Sequence, residues 1–199
     1  MLSVIIPTKN SERALVPTLA VLVPGALTGT VRQVIIADGG STDGTAEVAD
    51  IAGCDVIASA APLGTRLREA AAAARAPWLM FLRPGVVLET SWVEEATRTI
   101  EDAIERDTAS SHAAVFRRAP AARGRRSFLS DFTALLSTAL SAPHPDQGLM
   151  ISRLGYEAIG GHRDAADPEA DLLRRLGRRR IVTLDSAATP GRMIVDKVK

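Results

Sequence analysis

One short stretch of the chain combines a carboxylate, glycines and hydroxyl groups. The apolar run 34–37 leads directly into Asp38, Gly39 and Gly40, and the polar turn 41–45 follows. An acid at the tip of a buried strand, beside glycines that let the backbone approach a ligand closely, is how an open α/β sheet presents a nucleotide site. The glycine spacing fits neither G-x-G-x-x-G nor a P-loop, which argues against both kinds of site. The stretch predicts either a ligand site or a well-made turn that caps a helix.

The elements that would position this stretch alternate along the first half of the chain. Apolar runs that end in polar residues, proline or glycine predict strands at 2–6, 31–37, 55–59 and 78–82. Helical patterns predict helices at 12–22, 46–52, 66–74 and 91–107, the first of them stopping at Pro24-Gly25. The alternation predicts an α/β fold with a mostly parallel sheet flanked by helices and a ligand at its carboxyl edge.

The second half of the chain is less regular. Its patterns predict strands at 112–116, 149–152 and 181–184, an exposed loop at 119–126, and helices at 128–140, 154–159 and 169–176. At 199 residues and 46% apolar composition, the chain is long enough for one substantial core and short for two. We therefore expect a single domain over 1–199.

Composition and charge narrow the classes of partner. The chain has 24 basic and 23 acidic residues, a net charge of +1, and only 4% aromatic residues, so nucleic acid is not expected as a partner. Arginine clusters at 117–126 and 174–180 suit phosphates or an anionic membrane surface, although a solvated face is the simpler explanation of the first. Membrane contact is expected to be peripheral at most. No apolar run reaches the ~20 residues of a membrane span, and a single cysteine fits a reducing compartment, so we expect a cytoplasmic location.

Five segments, taken in order, resemble the family 2 glycosyltransferases. The resemblance runs from about residue 2 to residue 184 and is closest to short bacterial members that carry Asp-Gly-Gly-Ser-Thr-Asp-Gly-Thr. It implies a three-layer GT-A fold, a nucleotide-diphosphate sugar as donor, and inverting transfer to an acceptor hydroxyl. The segments are 3–10, 34–45, 78–82, 146–149 and 159–161.

The resemblance also implies roles for individual residues. Asp38 would hold the base or ribose of the donor, and a basic residue in the region of Arg66 commonly contacts the donor. Arg66 and Arg68 cannot both face the core of their helix, so one or both should point toward the ligand edge or toward solvent. Asp146 and Gln147 would lie on the acceptor side. The tip residues that would assist Asp38 in donor binding are Pro7, Thr8, Asn10 and Gly39.

Two positions depart from the family pattern. Where the family carries the metal-binding Asp-x-Asp, this chain has Arg83-Pro84-Gly85, which offers no carboxylate to Mg²⁺ or Mn²⁺, so no metal cofactor is expected. Where the family has a Glu-Asp pair whose aspartate is the general base, the chain has Pro168 and Glu169. Glu169 would then be the general base, Asp146 is the second candidate catalytic residue, and Asp167 and Asp171 are close substitutes for Glu169.

Three functions remain open at this stage. The first is a metal-independent inverting glycosyltransferase in which Arg83, with Arg66, neutralises the diphosphate leaving group. The second is a noncatalytic protein that binds a nucleotide sugar or an acceptor and has lost its metal site. The third, a nucleotidyltransferase, usually requires the same missing metal. An acceptor would be lipid-linked or a saccharide.

Overall fold

The computed structural model describes residues 1–119 and 142–190. The strands are β1 (Leu2–Thr8), β2 (Val31–Asp38), β3 (Asp55–Ala58), β4 (Trp78–Phe81), β5 (Val87–Leu88), β6 (Ala113–Arg118), β7 (Leu149–Ser152) and β8 (Ile181–Thr189). The helices are α1 (Glu12–Leu27), α2 (Thr45–Ile51), α3 (Leu63–Ala73), α4 (Trp92–Glu105), α5 (Arg153–Ala158) and α6 (Pro168–Leu176), with short 3₁₀ turns at Pro145–Gln147 and Arg178–Arg180. The predicted loop 119–126, from residue 120 onward, and the predicted helix 128–140 lie outside the described residues.

The strands of the described chain form one mixed sheet in the order β3-β2-β1-β4-β7-β6-β8-β5. The strands β1 to β4 pair in parallel, as the alternation of strands and helices predicts. β7 then joins β4 in the antiparallel direction, with Leu149 opposite Phe81. The carboxyl ends of β1, β2 and β4 therefore lie at the same edge of the sheet as the beginning of β7.

Helices cover both faces of the sheet, which explains why the strands are continuously apolar. Along β1 the side chains alternate: Val4 and Ile6 join the core under α1, α2 and α4, whereas Ile5 joins the core under α3, α5 and α6. All three side chains are fully buried. The molecule thus has three layers, helix, sheet and helix, as predicted.

The predicted end of α1 is wrong. The helix continues through Pro24 and Gly25 to Leu27. Pro24 lies on the exposed side of the helix, where the missing N–H costs no buried hydrogen bond. Gly25 is buried, and a Cβ there would come within 2.8 Å of the Trp92 ring of α4, so this glycine allows close helix packing rather than ending the helix.

Candidate active site

The turn after β2 is built around the side chain of Asp38. Its Oδ1 accepts hydrogen bonds from the hydroxyls of Thr8 (2.8 Å) and Ser41 (2.5 Å), and its Oδ2 accepts from the backbone N–H groups of Gly40 (2.9 Å) and Ser41 (2.8 Å). Burial of the carboxylate opposes its ionisation, but these hydrogen bonds outweigh burial and lower the pKa of Asp38. Gly40 has a φ of 81°, which lets the chain turn back over the acid. Asp38 therefore holds the turn together, and its contact with a donor stays a prediction.

The end of β1 is tied to the same turn. The backbone N–H of Asn10 donates to the hydroxyl of Ser41, and its side-chain Oδ1 accepts from the backbone N–H of Thr42, both at 2.8 Å. Pro7 is buried within β1, beside Ala37 of β2. The structure thus brings the predicted donor-binding residues of both strands together in one group, the strand-tip cluster, which consists of Pro7, Thr8, Asn10, Asp38, Gly39 and Arg66.

Arg66 enters this cluster from α3 and is only 9% exposed. Its Nη1 donates to the carbonyl oxygens of Ala37 (2.7 Å) and Thr8 (3.2 Å). Its Nε is buried without a hydrogen-bond partner among the residues described. A Cβ at Gly39 would lie 2.9 Å from Nη1, so the glycine leaves room for the guanidinium. Arg66 therefore points toward the carboxyl edge of the sheet, and its contact with a donor stays a prediction, whereas Arg68 donates to the carbonyl of His162 at 2.7 Å.

We expect Asp38→Asn to lower the free energy of unfolding by about 1–3 kcal/mol at pH 7, because an amide group replaces one of two oxygens that each accept two hydrogen bonds. Since folding lowers the pKa of Asp38, its stabilising contribution is present above the ordinary range near pH 4 and is lost as the pH falls through the lowered value. Urea unfolding at pH 7 and pH 3 should show the difference from wild type narrowing in acid. Asp50→Asn, at an exposed position of α2, is the control, and equal stability of the Asp38 and Asp50 variants at pH 7 would contradict the prediction.

A second group of polar side chains surrounds Arg83, directly after β4. Its Nε donates to Oε2 of Glu169 at 2.5 Å, its Nη2 donates to both carboxylate oxygens of Asp167 at 3.2 Å, and its Nη1 lies 3.4 Å from Oδ1 of Asp146. We call the three carboxylates the acid cluster. One guanidinium therefore faces three carboxylates, and its charge is already compensated within the protein.

The start of α6 positions two members of the acid cluster. Asp167 is the N-cap and accepts from the backbone N–H of Ala170 at 3.0 Å, and Pro168 occupies the first helical position, which needs no donor. Glu169 follows and is 6% exposed. Burial raises the pKa of Glu169 to about 7; Arg83 lowers it in part, and the charges of Asp167 and Asp146 raise it. A carboxyl group with this pKa exchanges its proton near neutral pH.

The turn before β7 contributes the remaining predicted residues. Asp146 lies in the 3₁₀ turn Pro145–Gln147 and reaches Arg83 as described. The Gln147 amide donates to the carbonyl of Phe116 (2.8 Å) and accepts from the backbone N–H of His144 (2.6 Å). Gln147 therefore holds the turn against β6, and its place on the acceptor side stays a prediction.

The donor set at the end of β4 does not suit a divalent cation. Mg²⁺ and Mn²⁺ require several oxygen ligands, whereas Arg83-Pro84-Gly85 offers no side-chain oxygen. The guanidinium of Arg83 already lies against the acid cluster, where a metal ion would meet a fixed positive charge. Within residues 1–119 and 142–190 no group of three or more His, Cys, Asp or Glu is arranged to hold a metal ion.

Two arginines of α6 engage the carboxylate of Asp171. Its carboxylate accepts from Arg174 and, at 2.8 Å, from Nε of Arg175. Arg175 in turn donates to the carbonyl oxygens of Ile159 (2.7 Å) and Gly161 (2.5 Å). The ion pair thus holds the segment before α6 in place, and a role of Asp171 as a substitute base stays a prediction.

The sequence pattern gave no reason to select His162, which lies in this braced segment. The side chain is fully buried, and its ring contacts Phe81 edge-on, with centroids 4.6 Å apart. The Tyr156 hydroxyl lies 2.9 Å from its Nδ1. In the sequence, His162 is marked only by its position between the Gly160-Gly161 pair and the acidic start of α6. That position does not indicate its contacts with Phe81 and Tyr156, which form only on folding.

Comparison with known proteins adds a family and a set of similar structures. The family model "Glycosyl transferase family 2" matches residues 3–135. Among solved structures, S. aureus TarS 1–349 is 17% identical with a TM-score of 0.68, and the match covers 94% of this chain and 60% of that chain. Mannosyltransferase PcManGT from Pyrobaculum calidifontis, in complex with GDP-Man and Mn²⁺, is 15% identical with a TM-score of 0.73, covering 96% and 56%. Glucosyl-3-phosphoglycerate synthase from Mycobacterium tuberculosis, in complex with Mn²⁺, UDP and glucosyl-3-phosphoglycerate, is 20% identical with a TM-score of 0.65, covering 94% and 70%.

The similar structures support the fold of this chain but do not by themselves assign its substrates. At such identities the similar structures show the fold alone, and the chain spans 60% of the TarS fragment and 56% of the mannosyltransferase. No curated protein matches the chain. The acid cluster lies beyond the residues that the family model covers. Among the described helices none is long and apolar enough to cross a membrane, and the predicted peripheral contact and location remain predictions.

Proposed function

Because the chain belongs to glycosyl transferase family 2, we propose that it transfers a sugar from a nucleotide-diphosphate donor to an acceptor hydroxyl, with inversion and without a divalent cation. The proposal depends on the site, since the family match covers residues 3–135 and the proposed base lies outside them. The similar structures include complexes with UDP, UDP-GlcNAc and GDP-Man, which supports a nucleotide sugar as the class of donor.

The observation that carries the proposal is the contact between Arg83 and Glu169, 2.5 Å from Nε to Oε2, at the carboxyl edge of the sheet. A general base works best when its pKa is near the working pH. Burial raises the pKa of Glu169 to about 7, so its ionised form is available at neutral pH and still basic enough to accept a proton. Arg83 holds the carboxylate in place.

The proposed reaction is a single displacement. Glu169 accepts the proton of the acceptor hydroxyl while the oxygen of that hydroxyl forms a bond to the anomeric carbon of the donor sugar. The bond between that carbon and the diphosphate oxygen breaks on the opposite side, so the configuration inverts and a nucleoside diphosphate leaves. A guanidinium has five N–H donors, and the contacts of Arg83 with the acid cluster leave at least one for the leaving group.

The strand-tip cluster and the turn before β7 suit the two sides of this reaction. We assign the donor to the tips of β1, β2 and β4, with Asp38 shaping the turn, Gly39 allowing close approach and Arg66 supplying positive charge. The acceptor approaches from the side of Asp146 and Gln147, next to Glu169. The acceptor is a lipid-linked molecule or a saccharide.

Removal of metal ions tests the cation-free part of the proposal. With UDP-GlcNAc or GDP-Man as donor, we expect release of UDP or GDP to persist in excess EDTA and to change less than about twofold when Mn²⁺ is added, because Arg83 occupies the place of a cation. The glycosylated product need not be identified, since release of the nucleoside diphosphate, with water or an added saccharide as acceptor, is measured directly. Release that depends strictly on Mn²⁺ contradicts metal independence and leaves glycosyl transfer standing.

One observation favours a second function, a noncatalytic protein that binds a nucleotide sugar. The charge of Arg83 is compensated by three carboxylates, which leaves less of it for a diphosphate than a metal ion would supply. This alternative predicts that titration calorimetry detects binding of UDP or GDP while no donor is consumed, with or without Mn²⁺.

A further inference from the structure

Within residues 1–119 and 142–190, the side-chain atom Nε2 of His162 is buried without a hydrogen-bond partner, as is Nε of Arg66. His162 lines a small cavity that Glu169 and Phe81 also line. The space open to the centre of a water-sized sphere is about 10 Å³. That is close to the minimum that holds one water molecule, provided that the water finds two or more polar partners.

The hydrogen bonds around Tyr156 assign the proton on the His162 ring. The Tyr156 hydroxyl already accepts from the backbone N–H of His162 at 3.1 Å, and Nδ1 of the same residue lies 2.9 Å away. If the hydroxyl donates to Nδ1, both of its hydrogen bonds are satisfied, and the ring proton resides on Nε2. The opposite tautomer would leave the hydroxyl proton buried without an acceptor. Nε2–H is therefore a buried donor without a partner among the described residues, on a side chain that lines the cavity.

The carboxylate of Glu169 is the complementary acceptor. Its Oε2 receives the N–H of Arg83, whereas the structure records no hydrogen bond to its Oε1 within the described residues. A water molecule in the cavity can accept from Nε2–H of His162 and donate to Glu169, which satisfies both groups.

We propose that His162 is a positioning residue for Glu169, acting through one buried water molecule that bridges its Nε2–H to the carboxylate. The proposal rests on the proposed function in one respect, the role of Glu169 as the base. The bridge adds a second hydrogen bond to the carboxylate beside that of Arg83, which fixes its orientation and stabilises its ionised form.

The charges around both groups agree with this arrangement. Burial, and then the positive charges of Arg175 and Arg68, lower the pKa of His162 to about 3, while Asp167 and Asp171 oppose them. The ring is therefore neutral and remains a one-proton donor across the working pH range. The groups that face Glu169 are Arg83, Asp167, Asp146, His162 and His144.

The test measures the pKa of Glu169 itself, by ¹³C NMR of the labelled carboxyl carbon, in His162→Phe and His162→Gln. Phe suits the aromatic surroundings but has no N–H, whereas the Gln amide nitrogen can occupy the place of Nε2. We expect the pKa of Glu169 to rise by about 0.5–1 unit in the Phe variant and to stay within about 0.3 unit of wild type in the Gln variant. The acid limb of the kcat profile should move by the same amount, with KM for the donor unchanged.

His112→Phe is the matched control. His112 directly precedes β6, at the end of the sheet where the parallel strands begin, so this substitution should leave the pKa of Glu169 unchanged. An unchanged pKa in a folded His162→Phe variant overturns the proposal. If that variant does not fold, a high-resolution crystal structure of the wild type decides, since a dry cavity overturns the proposal and a bridging water supports it. The NMR titration needs no activity, so failure of the proposed function would be seen separately, as absence of nucleoside diphosphate release in the wild type.

Discussion

Glu169→Gln is expected to lower the rate of nucleoside diphosphate release by about 10²–10⁴-fold at pH 8, because the amide cannot accept the proton of the acceptor hydroxyl. The substitution keeps the shape of the side chain and leaves Arg83 paired with Asp146 and Asp167. In the wild type the rate should fall as the pH drops through about 7, since protonated Glu169 is inactive as a base. Steady-state kinetics from pH 5 to pH 9 measures both effects.

The free energy of unfolding of Glu169→Gln shows whether its loss of activity results from a loss of structure. Folding raises the pKa of Glu169 from 4.5 to about 7, so its contribution to stability is complete below the unfolded value and is lost as the pH rises through about 7. The Gln variant should lack this decline. Glu157→Gln, at an exposed position of α5, provides a matched control that should keep wild-type activity. Wild-type rates in Glu169→Gln would falsify the role of this residue as the base.

Arg83→Met has the second large expected effect. Removing the guanidinium leaves three carboxylates facing one another, and like charges together with burial drive the pKa of Glu169 above its value of about 7. We expect nucleoside diphosphate release at pH 7 to fall by about 100-fold, from misplacement of the carboxylate and from its protonation. Raising the pH should recover only the part that protonation causes.

Two variants frame this result. Arg75→Met also removes an arginine that pairs with a carboxylate, Asp55 at 2.8 Å, but at an exposed site, and should leave activity unchanged. Arg83→Lys keeps the positive charge, but an ammonium group lacks the planar set of donors with which a guanidinium contacts three carboxylates at once. We therefore expect a rate of nucleoside diphosphate release between those of the wild type and Arg83→Met. If Arg83→Met and Arg75→Met are equally active, Arg83 has no part in the reaction.

Much of the first half of the fold could be predicted from the sequence. Strands buried on both faces, such as β1 and β4, are continuous apolar runs, and a parallel arrangement follows from the helices between them. The solved relatives confirm the predicted GT-A fold. The end of α1 could not be predicted, because the meaning of Gly25 depends on Trp92, which is distant in sequence and touches it only after folding.

The site was predictable to a lesser degree. Convergence of Thr8, Asn10 and Asp38 follows from the rule that parallel strands end at one edge, but the sequence cannot say whether Asp38 faces a ligand or its own turn. The contact of Arg83 with a diphosphate stays a prediction, but its contacts with carboxylates up to 86 residues away could not be predicted. Contacts between residues so far apart in the sequence produce no helical or strand periodicity from which they could be predicted.

The pairing of Arg83 with the acid cluster restricts how this sequence can diverge. A neutral or acidic residue at position 83 leaves the three carboxylates of the acid cluster close together without a positive charge between them. Loss of the acids leaves the half-buried guanidinium of Arg83 without its partners. Because either change alone leaves buried charge without a partner, we expect position 83 and the acid cluster to change together in evolution. Homologues should accordingly inherit position 83 and the beginning of α6 as a linked unit.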